Sequence, residues 1–89
     1  MATLFFRHNV ADYTAWKKVY DEIEPERKPM GVTSHGVYQA DGSPNDVTGY
    51  HEFDTMDHAK AFAASDFLRD AMQRAGVQGK PDIWFANRV

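Results

Sequence analysis

Cysteine is absent from this chain, which removes disulfide frameworks, zinc–thiolate sites and cysteine nucleophiles from consideration. Positive charge is also in short supply. Ten Lys and Arg stand against thirteen Asp and Glu, a formal net charge of −3. The densest basic group, Lys17, Lys18, Arg27 and Lys28, is interleaved with Asp21, Glu22, Glu24 and Glu26. Such mixing describes a solvated helix face and not a stripe that tracks phosphates, so nucleic acid is not an expected partner. Long apolar runs are missing too: residues 1–8 lack a basic start followed by an extended hydrophobic stretch, and neither a signal peptide nor a membrane span is expected. A cysteine-free chain of this kind fits a cytoplasmic setting. Length is the last scarcity. Eighty-nine residues leave room for one core, hence a single domain over 1–89, and a core so small gains from oligomerisation.

What the chain does have is aromatic and apolar residues in readable periods. Ala2-Thr-Leu-Phe-Phe-Arg-His8 suits a first strand. Asp12 is a plausible N-cap, and Tyr13, Trp16, Val19, Tyr20 and Ile23 then recur at helical steps. Pro25, Pro29 and Gly31 close that helix, with a frayed turn over Glu26 to Lys28. Val32–Gln39 and Asp46–Phe53 read as the second and third strands, joined by the turn residues Ala40 to Asn45. A second helix starts near Asp54 or Thr55, re-caps at Ser65-Asp66, and continues through Phe67, Leu68, Ala71, Met72 and Ala75 to Gly76. Ile83-Trp-Phe-Ala86 makes the fourth strand. The β-α-β-β-α-β order predicts an α+β, ferredoxin-like fold: a four-stranded antiparallel sheet with both helices on one face. Arg7-His8 four residues before Asp12, and Tyr50-His51 four residues before Thr55, form a faint internal echo at the two strand-to-helix junctions.

Several of these segments resemble a known group. Asp12-Tyr-x-x-Trp16, Gly31-Val32, Pro44-Asn-Asp-Val47, and Ala59-x-x-Phe62-x-x-Ser65-x-x-Leu68-Arg-x-Ala-Met72 followed by Gly76-Val77 are similar to the dimeric α/β-barrel proteins. Within that group the chain looks most like small uncharacterised members near the antibiotic biosynthesis monooxygenase-like family. The resemblance runs nearly end to end and its motifs are structural. It implies a homodimer joined sheet to sheet, with a small-molecule pocket between each sheet and its own helices. The wider group includes cofactor-independent oxygenases, isomerases, haem proteins and ligand sensors. The asparagine, tryptophan and histidine set of the haem-degrading members has no match here, so haem is not carried over and no cofactor is expected.

Placing Gln39 opposite Asp46 sets Ser34 against His51, Gly36 against Gly49 and Tyr38 against Val47. With the first and third strands taken as parallel neighbours, His8 and His51 would meet near their carboxyl ends, above a hollow left by the paired glycines. On this reading His8 and His51 are proton-transfer groups, Ser34 a hydrogen-bond donor, and Trp16 and Tyr20 the apolar walls of a pocket. The alternative is that each histidine ends a strand half-exposed while the glycines admit a close-packed helix. Two histidines beside Glu52 and Asp54 make no metal-ligand spacing. His58 reads as a surface residue, and Ser34 and Ser65 lack a nucleophile-elbow context. Two functions remain open: a cofactor-independent enzyme acting on a small apolar or aromatic compound, or a binding or sensing module with the same pocket. The face turned away from the helices would carry Phe5, Val37, Thr48 and Tyr50, apolar enough to be buried against a second copy.

Overall fold

Nine alternating residues, Ala2–Val10, form strand β1. Its even-numbered members Leu4, Phe6, His8 and Val10 are buried while Arg7 and Asn9 are exposed, the period of a sheet covered on one side. The computed structural model describes residues 1–89. Helix α1 (Tyr13–Glu22) follows, capped by the Asp12 carboxylate, which accepts from the Ala15 N–H at 3.1 Å. The apolar stripe extends past α1 to Ile23, but Pro25 cannot continue an α-helical ladder. A new short helix, α2 (Glu24–Arg27), starts there and runs into a 3₁₀ turn at Lys28–Met30. Gly31 ends it at a φ of 98°. Strands β2 (Val32–Ala40) and β3 (Ser43–Phe53) make a hairpin. Helices α3 (Met56–Ala63) and α4 (Asp66–Arg74) are capped by Thr55 and Ser65, and β4 (Val77–Asn87) closes the chain.

The strands lie in the order β2-β3-β1-β4, every pair antiparallel. All the helices cover one face. The expected architecture holds, with each helix divided in two: at Ile23 by Pro25, and at Ala64–Ser65 by the Ser65 cap already legible in the sequence. No helix is long and apolar enough to cross a membrane.

Three local expectations are corrected. The β2–β3 turn is only Asp41-Gly42, with Gly42 at a φ of 77°, so pairing runs further out than the turn-rich composition of residues 40–45 suggested. The fourth strand begins at Val77 and runs through Gly79 and Pro81, tolerable because β4 is an edge strand. The hairpin register is shifted by one residue: Gln39 faces Val47, Gly36 faces Tyr50, His35 faces His51 and Ser34 faces Glu52. A one-residue slip moves every side chain of a strand to the other face. Val37 therefore turns toward the helices and packs against the core, leaving the open face.

The glycines separate for the same reason and fill no common hollow. Gly49, on the helix side, admits the Phe6 ring, whose Cζ would lie 2.4 Å from a Cβ there. Gly36, on the open side, admits the Tyr50 ring, which would lie 2.7 Å from its Cβ.

Candidate functional site

Between the sheet and the helices lies a hollow of about 60 Å³, room for about four waters at roughly 15 Å³ each. Its floor is Leu4, Phe6 and His8 of β1, His51 of β3 and Ile83 of β4. The roof comes from Trp16, Val19 and Tyr20 of α1 and from Leu68, Ala71 and Met72 of α4. Trp16 and Tyr20 are one helical turn apart, so their rings stack at 5.0 Å and present one continuous wall.

The structure places His8 and His51 on the same, helix-covered face, but not by the route expected. Strands β1 and β3 are antiparallel: His8 pairs with Val47, and His51 with Leu4. Phe6 sits between them along the sheet, its ring 5.0 Å from that of His8 and 6.0 Å from that of His51. Neither histidine is half-exposed; His8 is 7% and His51 5% exposed. Trp16 and Tyr20 line the hollow as anticipated. Ser34 does not. Opposite Glu52, it is exposed on the other face of the sheet, and the register slip gives its expected place beside His51 to His35.

Sequence reasoning missed three members of the site. Arg27, taken as part of a solvated face, is 2% exposed. The break at Pro25 turns α2 so that its guanidinium reaches back under α1. There Nε donates to His51 Nε2 at 3.1 Å, one terminal nitrogen donates to the Tyr20 carbonyl oxygen at 2.8 Å, and the other to Glu24 at 2.7 Å. Its charge also lies over the Tyr20 ring, 3.9 Å from the centroid. One of the last carbonyls of α1, left without an intrahelical donor, is thereby satisfied. Glu24, in turn, accepts from His35 Nε2 at 2.9 Å, and His35 Nδ1 is 2.6 Å from the Tyr20 hydroxyl. The His35 and His51 rings stack at 5.6 Å. Glu24 and Arg27 at ion-pair spacing, with the helix-breaking Pro25 between them, were the available signal for the first two. His35 had none beyond the register.

The electrostatics follow from burial. Desolvation pulls His8 down from 6.5 to about 4, because a charged imidazole loses its hydration here without gaining a partner. Burial first, then the nearby Arg27 charge and His35, pull His51 down to about 3. The Tyr20 phenol is pushed up to about 12, mainly by burial, with Arg27 opposing. At neutral pH the hollow thus holds two neutral imidazoles and a protonated phenol. Both ring nitrogens of His8 and Nδ1 of His51 are buried without a hydrogen-bond partner. Most buried polar side-chain atoms have one.

His58 is a surface residue as expected, half-exposed and paired with Asp54 at 2.6 Å. No group of three or more His, Asp or Glu side chains is arranged to hold a metal ion.

No protein-family model and no curated protein sequence matches the chain, but solved structures match it over nearly its whole length. A protein assigned as an antibiotic biosynthesis monooxygenase from Bordetella bronchiseptica superimposes with a TM-score of 0.83 at 12% identity, over 99% of this chain and 96% of that one. Another so assigned, from Nitrosomonas europaea, gives 0.78 at 12% identity over 100% and 99%. SnoaB, a cofactor-independent oxygenase from Streptomyces nogalater, gives 0.75 at 12% identity over 99% and 94%. The chain shares the ferredoxin-like α+β fold of these antibiotic biosynthesis monooxygenase-like proteins. At these identities the likeness concerns the backbone, and the chemistry has to be argued from the side chains just described.

Proposed function

We propose that this protein is a homodimeric, cytoplasmic small-molecule-binding protein of the monooxygenase-like type, acting on a small apolar or aromatic compound without a cofactor. The observation that carries the reading is the pair of buried imidazoles, His8 and His51, which border an otherwise apolar hollow and leave both nitrogens of His8 and Nδ1 of His51 without a hydrogen-bond partner in the fold. Burying the His8 imidazole with neither nitrogen partnered costs about 1–3 kcal/mol, a burden that packing alone does not explain. A ligand that supplies the missing hydrogen bonds removes it. In the enzyme reading a neutral imidazole takes a proton from an activated carbon acid, and the carbanion reacts with dioxygen or rearranges. The likeness in fold to a cofactor-independent oxygenase supports this reading without fixing a substrate.

Self-association is supported by the open face of the sheet. Phe5 and Trp84 stack there at 5.6 Å, Gly36 and Tyr50 nest together, and Tyr38 is 63% and Trp84 46% exposed.

A thermal-shift screen of small aromatic and alicyclic compounds, with oxygen uptake measured for each hit, tests the function. Uptake with at least one hit that is lost in His8→Gln supports the enzyme. Hits without turnover would move the protein to the second reading, a binding or sensing module. The absence of any hit would refute both.

A further inference from the structure

The register that turns Ser34 away from the helices also builds a second hollow, on the open face of the sheet. Alternation along the strands lines up Ser34, Glu52, Thr3 and Ala86 as one row across all four strands. The next row is Gly36, Tyr50, Phe5 and Trp84. Small side chains at Thr3 and Ala86, beside the rings of Phe5 and Tyr50, leave a trough of about 390 Å³, within the range of about 300–1,000 Å³ usual for small-molecule sites. It shares no residue with the hollow under the helices and does not depend on the reading given to that hollow. The polar groups of the trough are sorted by depth. Thr3 is 6% exposed, and its hydroxyl makes no hydrogen bond in the fold, although most buried polar side-chain atoms have a partner. The Glu52 side chain is 13% exposed, and its carboxylate has a single contact, from Arg88 Nη1 at 3.3 Å. Arg88 is mostly exposed and is held at the mouth by its backbone N–H, which donates to the Met1 carbonyl oxygen at 2.9 Å. Negative charge thus lies deep and positive charge outside.

We propose that the trough binds an α-amino acid with an apolar side chain. Its ammonium donates to the Glu52 carboxylate and the Thr3 hydroxyl, its carboxylate accepts from Arg88, and its side chain lies against Phe5 and Tyr50. A lone cation would be repelled by Arg88 and a lone anion by Glu52, whereas a molecule carrying both charges meets neither penalty. An ammonium only donates and a carboxylate only accepts, so both charged residues and the idle hydroxyl find partners. The Glu52–Arg88 pair that the ligand parts is a long, single contact with an exposed arginine, the kind of ion pair that contributes little to stability. Phe5 and Tyr50 also belong to the surface that supports self-association, so the competing occupant of the trough is a second copy of the chain.

The test titrates ¹⁵N-labelled protein with phenylalanine, with hydrocinnamate, which lacks the ammonium, and with phenethylamine, which lacks the carboxylate. Phenylalanine should bind at least roughly tenfold tighter than either, since each analogue leaves one charged group of the trough without its partner. Shifts should fall on the amides of Thr3, Glu52 and Arg88, with those of His8 and Trp16 unmoved. Glu52→Gln should weaken phenylalanine by about the same factor without weakening hydrocinnamate, and Arg88→Met should weaken phenylalanine without weakening phenethylamine. Equal affinity for the three probes, binding of none of them, or shifts centred on His8 and Trp16 would overturn the proposal. Binding that appears only in Trp84→Asp, which places a charge in the contact between copies, would overturn it too, by showing that a second copy occupies the trough.

Discussion

Replacing His8 with leucine should make the protein more stable. His8 is 7% exposed and neither ring nitrogen has a partner, so the folded state carries the desolvation of an imidazole with no compensating bond, a cost of about 1–3 kcal/mol. Leucine fills a similar volume among Phe6 and Trp16, whose rings lie 5.0 and 5.6 Å from that of His8, and leaves nothing unsatisfied. The gain at pH 7 should therefore fall in that range, and it should grow in acid. His8 titrates near 6.5 when unfolded and near 4 when folded, so between those values the unfolded chain binds the extra proton. Its neutral burial is tolerated fully above pH 6.5 and penalised progressively as pH falls toward 4. At pH 5 the penalty reaches about 2 kcal/mol, at 1.4 kcal/mol per pH unit, and His8→Leu escapes it. Urea unfolding at fixed protein concentration reads this directly. With a slope near 1 kcal/mol/M, the variant's midpoint should exceed the parent's by about 1–3 M at pH 7 and by about 2 M more at pH 5. A variant less stable at pH 7, with an unchanged dependence on pH, would refute the reasoning.

Arg27→Met should have the opposite effect, a loss of about 3–5 kcal/mol in thermal or urea unfolding, because it strips donors from His51, the Tyr20 carbonyl and Glu24 inside the core; a loss below 1 kcal/mol would mean the network contributes little. Gly49→Ala should force the Phe6 ring aside, since a Cβ would lie 2.4 Å from Cζ and 2.8 Å from the Gly36 carbonyl oxygen; about 1–3 kcal/mol of destabilisation is expected, with the His8 and His51 ring resonances shifted in NMR spectra. Trp84→Asp on the open face should turn a dimer into a monomer near 10.1 kDa in micromolar sedimentation; a monomeric unsubstituted protein would refute the dimer outright.

The fold was legible because its signals are local. Asp12, Thr55 and Ser65 sit where helices begin and accept the amide hydrogens expected of caps, and each apolar stripe shows the period of its element. The site depended on quantities that are not local. The β2–β3 register turned on whether the hairpin closed over six turn residues or two, and the error of one residue put Ser34 in the place of His35. Arg27 was misread because charge pattern places a residue by its average behaviour. A break at Pro25 overrode that average by turning one basic side chain inward among four clustered in sequence. His8 and His51 reached the correct face despite a wrong strand direction, since alternation along each strand decides the face whichever way the neighbour runs.

The two buried histidines carry opposite structural accounts, and this separates packing from function more sharply than burial alone. His51 is woven into the core: it accepts from Arg27, and the rings of His35 and Phe62 lie 5.6 and 5.4 Å away. Removing it leaves a buried guanidinium donor unpaired, so its retention has a structural explanation even without a ligand. His8 has none. Its nitrogens bond to nothing, its charge is suppressed by burial alone, and an apolar residue would suit its surroundings better. A position where the sequence departs from what packing prefers, inside a hollow that packing has not filled, is where a fold gives up stability for something other than folding. If His8→Leu gains stability and at the same time abolishes ligand binding or turnover, the departure is explained by function. If it gains stability and leaves both intact, His8 belongs to neither account and the site must be sought around His51, Arg27 and Tyr20.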